Sequence, residues 1–318
     1  MKKALITGIN GQDGKYLREF LKEKKYRVFG ISNSISEVEL DSLANQKITV
    51  LKGDICDLSF MEKVMLETCP DEVYNLAAQS SVSKSYENYI ETMKINSMAV
   101  IQMLDIMKRN KINCKFFQAS SSEIFGIPNN PMVNEEAEYR PCNPYGISKL
   151  ASHLYMKNFR KWNNGHTVNG ILFSHESPIR PENFVSRKIT KGISDIIRGE
   201  KANISLGNID IVKDWGFAGE YIEAMWMMLQ QDEPDDFIIS SGESHSIREF
   251  LEIAFSHVGL EWGKYVVIDP ALYRPIEYKE LIGDNSKARE KLNWTPKTKF
   301  KDLVKMMVDY DMKGSNIK

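Results

Sequence analysis

Residues 4–14 read Ala4-Leu5-Ile6-Thr7-Gly8-Ile9-Asn10-Gly11-Gln12-Asp13-Gly14. A short apolar run ends in glycines, and a helical pattern follows at Tyr16, Leu17, Phe20 and Leu21. Strand, glycine turn and helix together make an anion site. The helix N-terminus points unpaired N–H groups at a phosphate, and the glycines let the backbone come close. On this reading Gly8, Asn10, Gly11, Gln12, Asp13 and Gly14 face a dinucleotide. The spacing is GxxGxxG rather than GxGxxG, so a Gly-rich turn without a ligand is the plain alternative.

Working outward, Arg27 to Ile31, Ile48 to Leu51, Glu72 to Leu76 and Cys114 to Ala119 read as four further strands. Helical patterns lie at Phe60 to Leu66 and Ile90 to Met107. Strand alternating with helix predicts an α/β fold, a Rossmann-type doubly wound parallel sheet covered on both faces. Such sheets bind ligands beyond the carboxyl ends of their strands. After about residue 170 the pattern loosens, with helices expected at Gly219 to Gln231 and Ser246 to Val258. The expected division is a dinucleotide-binding domain over 1–170 and a smaller C-terminal substrate-binding lobe over 171–318. The chain is free to cross between the two lobes. Lys313 to Lys318 read as a frayed tail.

Composition narrows the class. Of 318 residues, 42% are hydrophobic and 27% charged, the balance of a folded globular protein. A net charge of −1 provides no field to draw the chain to nucleic acid or an anionic membrane. No stretch is apolar and long enough to span a bilayer or act as a secretion signal. Cys56, Cys69, Cys114 and Cys142 are scattered without a CxxC pair, and five histidines form no ligand cluster. The expectation is therefore reduced thiols, no metal, and a soluble cytoplasmic protein.

Two further motifs carry chemistry. Tyr145-Gly146-Ile147-Ser148-Lys149 sets Tyr145 and Lys149 on one face of a helix. For Tyr145 to act as a base near neutrality its pKa must fall from about 10, at a cost of about 4 kcal/mol. A neighbouring ammonium favours the phenolate. An incidental surface pair is the bland alternative. Ser120-Ser121-Ser122-Glu123 directly follows the fifth strand, at the carboxyl edge of the sheet. There Ser121 can donate to a substrate oxygen and Glu123 adds a carboxylate. The alternative there is a hydroxyl turn followed by a solvated Glu.

In this order the Gly-rich turn, Asp54, Asn75-Leu76-Ala77-Ala78-Gln79, Ser121-Ser122-Glu123 and the Tyr–Lys pair resemble the extended short-chain dehydrogenases. The chain more closely resembles the GDP-mannose 4,6-dehydratase family, nearly end to end. That likeness lies in Thr7 to Gly14, Leu172-Phe173-Ser174-His175-Glu176-Ser177-Pro178, and Asn183 to Ile189. It continues through Gly207-Asn208-Ile209-Asp210, Asp214-Trp215-Gly216, Gln230 to Asp236, Arg274-Pro275-Ile276-Glu277 and Gly283 to Ala288.

The resemblance implies an enzyme that turns a GDP-hexose into its 4-keto-6-deoxy form, with Ser121, Glu123, Tyr145 and Lys149 catalytic. Ser121 stands where the family has Thr. The resemblance sets Ser32, Asp54, Ile55, Leu76, Ala77, Ala78, Ser80, His175 and Arg180 beside the cofactor, with Tyr145 and Lys149. It sets Ser80, Ser174, Glu176, Asn183, Lys188, Lys213, Arg274 and Glu277 beside the GDP-sugar, and Lys213 replaces an Arg. NADP is the family expectation. Gly30-Ile31-Ser32-Asn33-Ser34, however, has neither the arginines that hold a 2′-phosphate nor the acidic residue that favours NAD, so NAD stays open. A homo-oligomer, dimer or tetramer, is implied too.

Ser81, Ser174, Ile179 and Pro181 depart from the family near the sugar or cofactor. They keep GDP-N-acetylglucosamine, dehydrated by a related enzyme on the legionaminic acid route, beside GDP-mannose as a candidate. A nucleotide-sugar 4-epimerase or reductase would keep Ser121, Tyr145 and Lys149 but needs no carboxylate at 123.

Overall fold

The computed structural model describes residues 1–313. Most of the tail expected over Lys313 to Lys318 lies outside the described residues, and Lys313 closes the last helix, Phe300–Lys313. Seven parallel strands form the main sheet. In space they run Phe237–Ile239, Thr167–Leu172, Lys115–Ser121, Glu72–Asn75, Lys3–Thr7, Arg27–Ser32 and Thr49–Lys52. The chain builds outward from Lys3–Thr7 in one direction, then returns and builds in the other. The reversal falls between Lys3–Thr7 and Glu72–Asn75, where a doubly wound sheet opens a crevice.

Both sheet faces are buried, and successive residues alternate between them. Ala4 and Ile6, with Tyr74 and Phe117, pack on one side, beneath the helices Gln12–Glu23 and Ala218–Gln230. Leu5, Val73 and Phe116 pack on the other, beneath Leu58–Thr68 and Ala99–Arg109. Continuous apolar runs in the sequence are the consequence of this two-sided burial.

Several elements differ from the sequence reading. A helix at Glu37–Asn45 was not expected; its apolar residues are weakly segregated to one face and only Leu43 is buried. The single helix expected over Ile90 to Met107 is three pieces, Tyr89–Met93, a π turn at Lys94–Met98 and Ala99–Arg109. The helix read at Gly219 to Gln231 forms one residue earlier. It covers the main sheet rather than a second core, and the strand Phe237–Ile239 joins that sheet beside Thr167–Leu172. The chain therefore passes through the main sheet again after residue 171.

The second lobe has its own sheet, centred on Val212–Phe217. This strand pairs with Ser174–Glu176 and Glu280–Gly283 in parallel and with Ser244–Ser246 antiparallel. Its core lies beneath the helices Val185–Ile197, Ile247–His257 and Phe300–Lys313. Among the described residues no helix is long and apolar enough to cross a membrane.

The glycine turn is close-packed. Gly8 has φ +71°, and a Cβ there would lie 2.9 Å from the Ala77 amide nitrogen. A Cβ on Gly14 would sit 2.3 Å from the Gly8 carbonyl oxygen and 2.7 Å from the Ile9 backbone. Backbone cannot yield as a flexible side chain does. Gly14→Ala is expected to lower stability by about 1–3 kcal/mol, measured by urea unfolding; an unchanged midpoint would show that the turn relaxes without strain.

Candidate active site

A cavity of about 440 Å³ opens at the crevice and runs between the lobes. It is lined by Asp13, Leu76, Ala78, Ser80, Ser121, Glu123, Tyr145, Lys149, Ser174, His175, Glu176, Arg180, Asn183, Lys188, Lys213, Arg274 and Glu277. All of these were singled out from the sequence, and the fold brings them together from both lobes. The others lie outside the lining. Gly8, Asn10, Gly11, Gln12 and Gly14 form the turn itself. The Ser32 hydroxyl donates to Asn10 Oδ1 at 2.8 Å. Asp54 is exposed and accepts the Cys56 N–H at 2.9 Å, while Ile55 is buried in the core. The Ala77 N–H, like that of Leu76, donates to the Thr7 hydroxyl oxygen at 3.1 Å.

The helix Pro144–Asn163 carries Tyr145 and Lys149. Pro144 occupies its first turn, and Asn143 caps it by accepting the Gly146 N–H at 2.8 Å. Lys149 Nζ donates to the Ala119 carbonyl at 2.9 Å and lies 5.8 Å from the Tyr145 ring centre. Burial lowers the Lys149 pKa to about 8, against the pull of the Asp13 charge. Burial also pushes the Tyr145 phenol up to about 12, with the Glu123 and Asp13 charges adding. A hydrogen bond with Ser121 and the Arg180 charge work the other way. This departs from the sequence expectation that Lys149 would favour the phenolate: the ammonium is spent on a strand carbonyl, and desolvation dominates.

Glu123 is buried. Its Oε2 accepts from Asn143 Nδ2 at 2.8 Å, and its Oε1 accepts from the Tyr278 hydroxyl at 3.2 Å. Neither partner was singled out from the sequence. An Asn directly before Pro144 is a cap signal that could have found Asn143, whereas nothing local to Tyr278 points across the fold to Glu123.

The segment 174–180 is fastened to the glycine turn. Gln12 Nε2 donates to the His175 carbonyl at 3.2 Å, and its Oε1 accepts the Ser177 hydroxyl at 2.8 Å. His175 Nε2 faces Asp13 Oδ2 at 2.9 Å, and Nδ1 faces the Phe173 carbonyl at 2.7 Å. Both ring nitrogens meet acceptors, so the doubly protonated imidazolium satisfies both. Burial opposes that charge, but Asp13 outweighs it and raises the His175 pKa. Burial likewise disfavours the Asp13 charge, yet His175 and its other partners bring the carboxyl down to about 2.

Cations gather at the far end, where Lys188, Lys213 and Arg274 face Glu176 and Glu277. Burial, reinforced by the Arg274 charge, lowers the Lys213 pKa to about 8. Arg274 pairs with Glu277 at 3.6 Å, and burial raises the Glu277 pKa despite these cations. Three half-buried cations thus share this end of the cavity with two carboxylates.

A doubly wound sheet, a glycine turn at its crevice, and a Ser–Tyr–Lys constellation beside it define the short-chain dehydrogenase/reductase class in its extended form. The fold matches UDP-glucose 4-epimerase from Bifidobacterium longum at TM-score 0.86 and 22% identity, covering 99% of each chain. It matches RMD from Pseudomonas aeruginosa at TM-score 0.82 and 21% identity, covering 99% of this chain and 100% of that one. In sequence, the chain is 44% identical to GDP-mannose 4,6 dehydratase 1 of Arabidopsis thaliana over 98% of this chain and 90% of that one. The family profile for GDP-mannose 4,6 dehydratase matches residues 5–307. The chain belongs to the GDP-mannose 4,6-dehydratase family.

Behind the catalytic strand end, buried His153 bridges the Ser120 hydroxyl at 3.1 Å and the Tyr139 hydroxyl at 3.0 Å. Burial lowers its pKa to about 4, although the Asp236 charge opposes. Between pH 6.5 and 4 the unfolded chain takes up a proton that the folded chain refuses. Stability should therefore fall by about 3 kcal/mol across that window. His153→Gln is expected to flatten this slope in chemical unfolding, though not abolish it, since His166 shifts in the same direction; an identical slope would contradict the assignment.

Proposed function

We propose that the chain is a nicotinamide-dependent dehydratase that converts a GDP-hexose into the GDP-4-keto-6-deoxy sugar. The observation that carries the reading is Glu123, a buried carboxylate beside Ser121 and Tyr145 in a cavity whose far end is cationic. Oxidation and reduction at C4 alone need no such base. The glycine turn fits a dinucleotide: it lies on the first strand–helix turn at the crevice, and the helix Gln12–Glu23 begins there with no side-chain cap on its first amides. RMD was solved complexed with NADPH and the Bifidobacterium epimerase in complex with NAD+. We read the cofactor here as NADP, the family expectation. No carboxylate stands on Ser32-Asn33-Ser34 to repel a 2′-phosphate.

The chemistry that a bound nicotinamide dinucleotide supplies is oxidation at C4 and its reversal at C6, with no net redox change. Around it, Ser121 donates to the C4 oxygen and Tyr145 takes up its proton, the phenolate being favoured by a cation bound beside it rather than by Lys149. Lys149 holds the nicotinamide ribose. The resulting ketone acidifies the C5 proton; Glu123 removes it and passes it to the departing C6 hydroxyl, which leaves as water, and the proton held by Tyr145 balances the return of a proton to C5. Lys188, Lys213 and Arg274 bind the diphosphate, and that remote binding energy orients the hexose. The portion through about residue 170 thus serves chiefly the cofactor and the rest chiefly the GDP-sugar. We also read the chain as a homo-oligomer, supported by Ile147, Leu154 and Trp162 exposed along the helix that carries Tyr145.

The test is incubation of the protein with GDP-mannose and, separately, GDP-N-acetylglucosamine, with product mass measured. Loss of one water from either establishes the dehydration and names the hexose. Glu123→Gln should slow that loss by about 10²–10⁴-fold while sparing C4 oxidation. Undiminished dehydration in this variant would remove Glu123 as the C5 base, and the absence of dehydration from both sugars would favour a 4-epimerase or reductase.

A further inference from the structure

Glu123 is held from two sides that differ mechanically. Asn143 is fixed, because the side chain that donates to Glu123 also caps the active-site helix. Tyr278 reaches Glu123 from the second lobe. It sits on an irregular stretch between the short turn Pro270–Leu272 and the strand Glu280–Gly283. The same stretch carries Arg274 and Glu277, which line the cationic end of the cavity. Glu123 and Tyr278 are only 7% and 6% exposed, so water is a poor substitute for either partner.

The geometry leaves room for movement. The Tyr278–Glu123 bond is 3.2 Å long, whereas a hydroxyl donor ordinarily sits at about 2.7–2.8 Å. Arg274 is paired loosely with Glu277 at 3.6 Å, and a substrate diphosphate competes for that guanidinium with more charge and better-matched oxygens. Lys213 lies 5.8 Å from the Tyr278 ring centre, so the same side chain that reaches the carboxylate through its hydroxyl borders the cationic pocket with its ring.

We propose that Tyr278 is a positioning residue for Glu123. Seating of a diphosphate at Arg274 draws the 274–278 stretch inward and shortens the Tyr278 bond, so the carboxylate is set for the C5 proton once the nucleotide end is filled. This rests on the dehydratase reading above and adds a control to it: a hexose lacking its nucleotide would leave the carboxylate unset.

The test is Tyr278→Phe, which keeps the buried ring and removes only the hydroxyl. The kcat for dehydration is expected to fall by about ten- to a hundredfold, with KM for the GDP-sugar changed by less than about twofold. Reduced nicotinamide should accumulate in the steady state, since C4 oxidation proceeds while C5 deprotonation is slowed. A variant that merely folded badly would not show that accumulation. Asn143→Ser, which keeps a capping oxygen but loses the amide donor, should accumulate it too. An unchanged kcat, a fall in kcat without accumulation, or a raised KM at constant kcat would each overturn the positioning role. Wild-type turnover with an unaffected Tyr278→Phe sinks only this inference. No product from the wild type with either GDP-sugar sinks the dehydratase reading and takes the inference with it.

Discussion

The ion pair between Asp13 and His175 is the joint on which the site depends. Asp13 lies in the first turn of the helix that follows the glycine turn, and His175 lies on the strand that leads the second lobe's sheet. Gln12 doubles the connection by donating to the His175 carbonyl and accepting from Ser177. Tyr221 stacks on the imidazole at 4.9 Å and walls it from solvent. Two charges this deep would be costly apart, because each would lack both water and a partner. Together they fix the distance between the part of the fold shaped for pyrophosphate and the segment bearing Ser174, Glu176 and Arg180.

Desolvation is the common cause behind the site's unusual titration. Tyr145, Lys149 and Lys213 are all shifted toward their neutral forms by burial first, with neighbouring charges partly adding to the effect and partly opposing it. A cavity built this way is electrostatically unfinished. An anion near Lys213 and a cation near Tyr145 each find a low-dielectric surrounding in which their influence is strong. The fold thereby makes binding and activation parts of one event.

Much of this was legible in the sequence, for physical reasons that can be named. Alternation of apolar runs with helical patterns reported the main sheet because parallel strands are buried on both faces, as Leu5 and Ile6 are. The short motifs reported the cavity because glycine turns and Tyr–Lys spacing depend on local geometry alone. What was not legible depends on distance along the chain. Glu37–Asn45 buries little and so leaves a weak periodic trace. The π turn at Lys94–Met98 preserves helical spacing closely enough to hide within it. Tyr278 meets Glu123 across 155 positions of sequence, and no local pattern encodes such a contact. The direction of the Tyr145 shift was likewise hidden, because it depends on where Lys149 points.

The strand Phe237–Ile239 gives the chain a particular order of construction. It lies at the edge of the main sheet, beside Thr167–Leu172, and its Ile238 N–H is received by the Glu135 carboxylate at 2.7 Å. A ribosome releasing this chain from its N-terminus delivers the other six strands well before this one. Until it arrives, one flank of Thr167–Leu172 is an open edge, with unpaired backbone groups next to the sequence that carries Ser174 and His175. The Ser174–His175 part of the crevice therefore has to wait for a strand from far downstream. During synthesis, that exposed flank is where a chaperone has most to protect.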